Sequence, residues 1–246
     1  MNMVPAAPHP FSVLKPALEV YLLGLVDFEA ALFLQDRLAT GLGERADAAG
    51  AVLVCEHPPL ITVGREGSRA DFCCSPEELT SREIAVRWLN RGGGCVSHAP
   101  GQLAIYPIIP LERRHLGLVD FRNHLEAAVV DACVELQIPA SQRPDEPGVW
   151  CRAGQVAQIG IAVRNGVSYH GAFVNVCPRP DLMRLTRGLA GARLSSLAAQ
   201  GLRPVSMAPV RESLVRNLAA RLDYPRYHLY TGHPLLRRTK KVVAYA

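Results

Sequence analysis

Lysine is almost missing from this sequence of 246 residues. Of its 27 basic residues only three are lysines, Lys15, Lys240 and Lys241, all close to the ends. The segment between Lys15 and Lys240 carries no side-chain amine, which excludes any mechanism that needs a lysine in the core. Cysteine occurs seven times, but without CxxC spacing (Cys73 and Cys74 are adjacent) and never after Cys177. That pattern argues against a disulfide scaffold or a zinc module and for a reduced, cytoplasmic protein. No apolar run reaches the roughly 18 residues of a membrane span. Residues 1–10 lack the basic-then-apolar order of a signal peptide, so neither anchor nor leader is expected. The eight histidines are scattered away from cysteines and carboxylates at metal spacing, so no metal and no cofactor is expected.

The sequence does have material for a core. It is 49% hydrophobic and 20% charged, enough for one domain of ordinary globular type. A net charge of +5 is too small and too dispersed to argue for nucleic acid. Residues 1–17 read as a loose arm, 18–222 as the folded domain and 223–246 as a basic, solvated tail. Strands are predicted at 18–23, 51–55, 60–63, 103–109, 149–151, 155–164 and 167–176, and helices at 28–42, 121–136 and 209–222. Residues 65–81 read as loop. Pro107 suggests that its strand lies at an edge or carries a bulge, because proline cannot donate to a ladder. Asn165-Gly166 is a hairpin turn, since both residues tolerate positive φ. Strands and helices mix without strict alternation, so the expected class is α/β or α+β with a mixed sheet.

Three segments could carry chemistry. In the first, Arg91-Gly92-Gly93-Gly94-Cys95-Val96-Ser97-His98, three glycines allow positive φ and close approach. Their N–H groups could converge on a carbonyl turning into an oxyanion; a plain surface turn is the equal alternative. The second holds Gly148-Val149-Trp150 and then Gln155 to Gly160. The third runs from Tyr169 through His170, Gly171, Ala172 and Phe173 to Asn175-Val176. Gly160 and Gly171 could face one ligand across a strand pair, or could simply make room in a packed sheet.

Taken in order, these segments resemble the lipoate-biosynthesis octanoyltransferase (LipB) family of the lipoate/biotin protein ligase superfamily. The match begins at Glu56-His57-Pro58-Pro59 and Thr62-Val63-Gly64-Arg65, passes through the glycine segment to Pro100-Gly101-Gln102-Leu103, and ends with the His-Gly…Asn-Val run. The resemblance implies the ligase-type α/β fold with a mixed sheet, and octanoyl transfer from acyl carrier protein to a lysine of a lipoyl domain. The implied partners are octanoyl acyl carrier protein and the lipoyl domains of 2-oxoacid dehydrogenase complexes or glycine cleavage H protein. It further implies a substrate pocket lined by Arg91, Gly92, Gly93, Gly94, Cys95, Val96, Ser97, His98, Gln158, Ile159, Gly160, Gly171, Ala172 and Phe173.

The family's enzymes attack with a cysteine held near a lysine. Counted without gaps, the lysine position is Gln155 and the nucleophile position is Leu189. Three expectations follow. The chain could be a diverged member that keeps the fold without the family's mechanism, in effect a pseudoenzyme. It could be an active transferase with a relocated nucleophile, either Cys95 with His98 as base or Cys177. Or it could be a non-enzymatic binder of the carrier or the lipoyl domain, with Arg113, Arg114, Arg122, Arg184, Arg187 and Arg193 facing an acidic partner.

Overall fold

The computed structural model describes residues 16–200 and 204–236. Residues 1–15 of the N-terminal arm and 237–246 of the basic tail lie outside them. An eight-stranded mixed sheet organises the rest, in the order β11-β1-β2-β6-β10-β9-β8-β7. Its strands are β1 (Leu18–Leu25), β2 (Gly50–Glu56), β6 (Gln102–Ile108), β7 (Ser141–Arg143), β8 (Glu146–Cys151), β9 (Gly154–Arg164), β10 (Val167–Asn175) and β11 (Tyr227–Thr231). A smaller sheet, β4-β3-β5, contains β3 (Leu60–Val63), β4 (Ala85–Trp88) and β5 (Cys95–His98).

Alternation along the central strands sets the layers, because successive side chains of a strand point to opposite faces. Val52 and Val54 of β2, with Leu103 and Ile105 of β6, pack under α3 (Leu118–Glu135) and α5 (Met207–Arg221). Leu53 and Cys55, with Ala104 and Tyr106, pack under α1 (Phe28–Glu44) on the other face. Both faces are covered, so β2 and β6 read as continuous apolar runs. Asp27 caps α1, its carboxylate accepting from the N–H groups of Glu29 and Ala30. Among the described residues no helix is long and apolar enough to cross a membrane.

The Asn165-Gly166 turn forms as expected, with φ of 51° and 72°, and it sets β9 and β10 in register. Pro107 departs from expectation. Its strand is not an edge but lies between β2 and β10. The ladder to β10 is regular only from Gln102 to Ile105, and His170 opposite takes φ of +60°. Ser168 takes over there, donating from Oγ to Pro107 O at 2.7 Å and accepting from Ile109 N at 2.9 Å. The Ser168 hydroxyl thus serves Pro107 O and Ile109 N where the regular ladder stops, and the register continues unshifted to the Pro110–Val167 bridge, so the strand is neither an edge nor bulged.

The 65–81 loop contains α2 (Pro76–Ser81), started by the Ser75 cap and a proline in the first turn. The tail from residue 223 is not all solvated extension, since Tyr227–Thr231 pairs in parallel with β1 as the sheet's last strand. Two arginines expected to face a partner are also used inside the fold. Arg113 donates to the carbonyls of Leu42, Gly43 and Arg45 at the end of α1, and Arg114 to those of Leu222 and Asp223 at the end of α5. Each satisfies C-terminal carbonyls and opposes the negative end of a helix dipole.

Candidate functional site

The glycine loop, 91–94, enters β5 between the small sheet and β9. Gly93 has φ of +77°, and a Cβ there would lie 2.6 Å from Ile159 O, so the loop presses directly on β9. Its N–H groups are already engaged in two of three cases. Gly92 N donates to Ile161 O and Gly93 N to Glu66 Oε1, each at 2.8 Å. Gly94 O and Gly93 O accept from Gly64 N and Glu66 N. In this form the loop is a clasp between two sheets and not the open oxyanion cradle that the triple glycine suggested.

Arg91 is fully buried. Its guanidinium reaches Thr62 Oγ1 at 2.8 Å, Thr62 O at 3.2 Å and Gly92 O at 3.0 Å, and it lies 5.5 Å from the Phe173 ring centre. Burial pulls its pKa down to about 10. Arg91 heads a directed chain of hydrogen bonds. Gln102 Nε2 donates to Ser97 O at 2.9 Å and Asn175 Oδ1 at 3.0 Å, which leaves Gln102 Oε1 to accept from His98 Nδ1 at 2.8 Å. His98 therefore carries its proton on Nδ1 and accepts from Thr62 Oγ1 through Nε2 at 2.9 Å. Thr62 in turn accepts from Arg91, and Asn175 Nδ2 donates to Ser195 O at 3.2 Å. The chain is polarised in one direction, and each link fixes the next.

His98 has both nitrogens occupied and is 1% exposed. Its pKa falls well below the usual value, chiefly through burial, then through His57 and Arg91. A neutral ring held at both ends is a strut and not the base for Cys95. The relay itself is testable. Thr62→Val removes the hydroxyl while nearly keeping the shape, leaving His98 Nε2 without a donor and Arg91 with one acceptor fewer. A loss of about 2–3 kcal/mol is expected in urea unfolding, with Thr62→Ser costing under about 1 kcal/mol. Equal midpoints for both variants would sink the relay.

The strand glycines make room. A Cβ on Gly160 would lie 2.7 Å from Arg91 Nη1, and one on Gly171 would lie 2.1 Å from Ile105 O. The two are register partners, as a shared site required, but their space is filled by the protein. Ala172 and Phe173 are buried, Phe173 with its ring against His98 and Tyr106. Ile159 is 7% exposed. Gln158 Nε2 holds Cys95 O at 2.8 Å. Val96 and Ser97 are buried in β5, Ser97 donating to Leu182 O at 2.6 Å. Among the described residues Arg91 Nε, Gln158 Oε1 and His170 Nδ1 are buried without a hydrogen-bond partner.

Gln155 and the turn around Leu189 are brought together. Gln155 N donates to Arg193 O at 2.9 Å and its Nε2 to Pro147 O at 2.9 Å, while its buried Oε1 has no partner. A Cβ on Gly188 would sit 2.6 Å from that Oε1. Half-buried Leu189 packs beside the loop, its Cα 3.5 Å from where a Cβ on Gly94 would be. No thiol or amine lies on either side of this junction. The fallback cysteines are unactivated. Cys95 is 1% exposed, its thiol points to Ser68 O at 3.4 Å, and burial and Asp71 push its pKa up to about 11. Cys177 is exposed beside the Gly101 turn, its pKa raised by partial burial and by Glu56.

Thr62, Gln102 and Asn175 lie in the quoted motifs, but their place in this chain of hydrogen bonds appears only in the fold. Their signal was polarity in apolar strands: Thr62 within Leu60-Ile61-Thr62-Val63, and Asn175 after Ala172-Phe173-Val174.

Comparison with known proteins adds the following. The lipoyl protein ligase A/B catalytic domain family matches residues 27–220. An octanoyltransferase of Geobacter metallireducens is 35% identical over 214 residues, covering 86% of this chain and 97% of its own. One from Geotalea uraniireducens is 34% identical over 205 residues, 82% of this chain and 91% of its own. A bi-partite lipoate protein ligase of Thermoplasma acidophilum has the same fold, with a TM-score of 0.69 over 89% of each chain at 15% identity.

Proposed function

Because the chain belongs to the lipoyl protein ligase A/B catalytic-domain family, on its octanoyltransferase side, we propose that it is a diverged member that has left the cysteine–lysine transfer mechanism. It keeps recognition of the family's partners, an acyl carrier protein or a lipoyl domain. The observation that carries this reading is the junction of Gln155 with Gly188 and Leu189. Gly188, the neighbour of the position read as the nucleophile's, packs against Gln155, the position read as the lysine's, and this junction offers an amide, a glycine and a leucine. The conclusion is insensitive to the count: if the family's Cys-Gly turn is aligned on Gly188, the nucleophile position becomes Arg187, again not a thiol.

Retained recognition is supported by the unpartnered polar atoms around the glycine loop. A buried donor on Arg91 and buried acceptors on Gln158 and Gln155 are costly in a protein that binds nothing there. The relocated-nucleophile reading has less support, since both Cys95 and Cys177 sit where the thiolate is disfavoured.

The test is a transfer assay with octanoyl acyl carrier protein and an apo lipoyl domain, followed by intact-mass spectrometry, with Cys95→Ser and Cys177→Ser variants alongside. The expected result is no octanoyl gain on either protein above an enzyme-free control, with binding still measurable. Transfer by the wild type that one cysteine variant abolishes would overturn the proposal and locate the nucleophile.

A further inference from the structure

Most arginines in this chain are used within it. Arg82, Arg87, Arg164, Arg216 and Arg221 hold carboxylates, Arg113 and Arg114 cap helices, and Arg91 is buried. Five are different. Among the described residues Arg69, Arg152, Arg184, Arg187 and Arg193 are exposed, with neither a carboxylate nor a hydrogen-bond acceptor. Arg37 on α1 shares that condition, and Arg211 on α5 is half-buried and likewise unpaired.

The five lie along one seam. Arg187 N donates to Asp71 O at 2.9 Å, which sets it beside the 3-10 turn Arg69–Asp71. Cys73 N donates to Leu185 O at 2.8 Å, holding the Arg184 end on the same segment. Arg193 O accepts from Gln155 N at 2.9 Å, next to the β8–β9 turn that carries Arg152. Between these anchors stands Leu189, against Gly94. The seam therefore borders the junction where the glycine loop, Gln155 and the 186–191 turn meet. Of the nearby carboxylates, Glu66 accepts from Gly93 N and Asp71 from Ser68 N, while Asp181 is held by Arg82 and Arg179. Like charges gathered on one segment work against the native state unless an external anion answers them.

We propose that this seam is the docking surface for an acidic carrier protein that presents a phosphate-linked thioester arm. Arg184, Arg187 and Arg193 supply most of the attraction. This rests on the retained-partner reading above and gives it a location. Guanidinium forks suit both groups such a partner offers, surface carboxylates and a phosphate, through paired N–H···O contacts. With the arm's base over the seam, its acyl end points at the junction beside Leu189.

The experiment measures binding by calorimetry for octanoyl carrier, for carrier without its arm, and for an apo lipoyl domain, at low and high ionic strength. Wild type is compared with Arg184→Glu/Arg187→Glu/Arg193→Glu and with the control Arg37→Glu/Arg211→Glu, after thermal unfolding has shown that both variants are folded. Expected is a loss of affinity for the octanoyl carrier of about tenfold or more in the triple variant, about twofold or less in the control, and weakening by salt in the wild type. Removal of the arm lowers affinity further. Binding that the triple reversal leaves equal to the control overturns the seam, as does binding of the lipoyl domain alone. A wild type that binds neither carrier nor lipoyl domain instead overturns the retained-partner reading itself.

Discussion

Octanoyl transfer is expected to appear when Gln155→Lys and Leu189→Cys are introduced together, and not when either is introduced alone. Gln155 is 2% exposed, and its amide already donates to Pro147 O. An ammonium there keeps a donor for that carbonyl but brings a charge into a buried place where the partner of the residue-155 side chain is a carbonyl and not a carboxylate. Its pKa falls and the fold weakens, since an unpaired buried charge is among the costliest single changes. Gln155→Lys alone should lose about 2–4 kcal/mol by urea unfolding. A thiol at 189, or at Gly188 where the side-chain direction faces residue 155, gives that charge an anion. The thiolate is in turn stabilised by the ammonium. The double variant should recover part of the lost stability.

Two readouts follow, one independent of catalysis. In unfolding, the double-mutant cycle should show a coupling of about 1–2 kcal/mol in the stabilising direction. In the transfer assay, the double variant should exceed wild type and either single variant by about 100-fold or more, with an octanoyl adduct visible on the variant itself before it reaches the lipoyl domain. Residues that act as a unit are strongly non-additive, so near-silence of the singles is part of the expectation. Gly188→Cys with Gln155→Lys is run in parallel, because a side chain at 188 must displace the residue at 155 and is tolerated only if that partner can move. Additive stabilities together with no adduct in either pair would mean that residues 155 and 188–189 no longer form a site, whatever their ancestry.

Local patterns were legible where the chain settles its own geometry. Asn165-Gly166 fixes a hairpin by two φ angles, and the alternating burial of β2 and β6 follows from their composition. What escaped depends on partners distant in sequence. β11 is five residues whose only described sheet neighbour, β1, lies at the other end of the domain. Ser168, which serves Pro107 O and Ile109 N where the ladder stops, is tied to them by no local rule. The glycine segment announced itself, but its use did not. Two of its N–H groups are occupied by Ile161 and Glu66, contributed by two other segments. Arg113 and Arg114 read as free charge because nothing in their neighbourhood of sequence shows two helices ending beside them. The missing cysteine and lysine were plain from the letters, whereas the meeting of positions 155 and 188 needed the fold.

Acid should unfold this protein earlier than surface carboxylates alone would. His57, His98 and His170 are buried and neutral. Burial holds His57 down to about 4 and His170 to about 3, with Arg91 adding to the second, and His98 lies well below its ordinary value. His57 shows why: Nδ1 donates to Val26 O at 2.8 Å and Nε2 accepts from Tyr106 Oη at 2.7 Å, leaving no place for a second proton. In each case the folded pKa is lower than the unfolded one, so the unfolded chain binds more protons and stability falls as pH drops below about 6.5. Three such groups give a slope approaching about 4 kcal/mol per pH unit, continuing until the folded pKa values near 3 to 4 are reached. Glu126 works the other way. Burial raises its pKa, so its protonation on acidification favours the fold and offsets at most one of the three protons. By pH 5 the net loss is about 4–6 kcal/mol, comparable to the whole stability of many domains. Urea unfolding at pH 7, 6 and 5 should therefore show the midpoint collapsing with an uptake of two to three protons. A midpoint unchanged between pH 7 and 5 would mean that these rings take up protons without opening the core. The exposed pairs Arg45–Asp47 and Arg179–Asp181 cannot mimic the effect. Their carboxylate pKa values are lowered, so whatever they contribute is lost only below the ordinary carboxylate range.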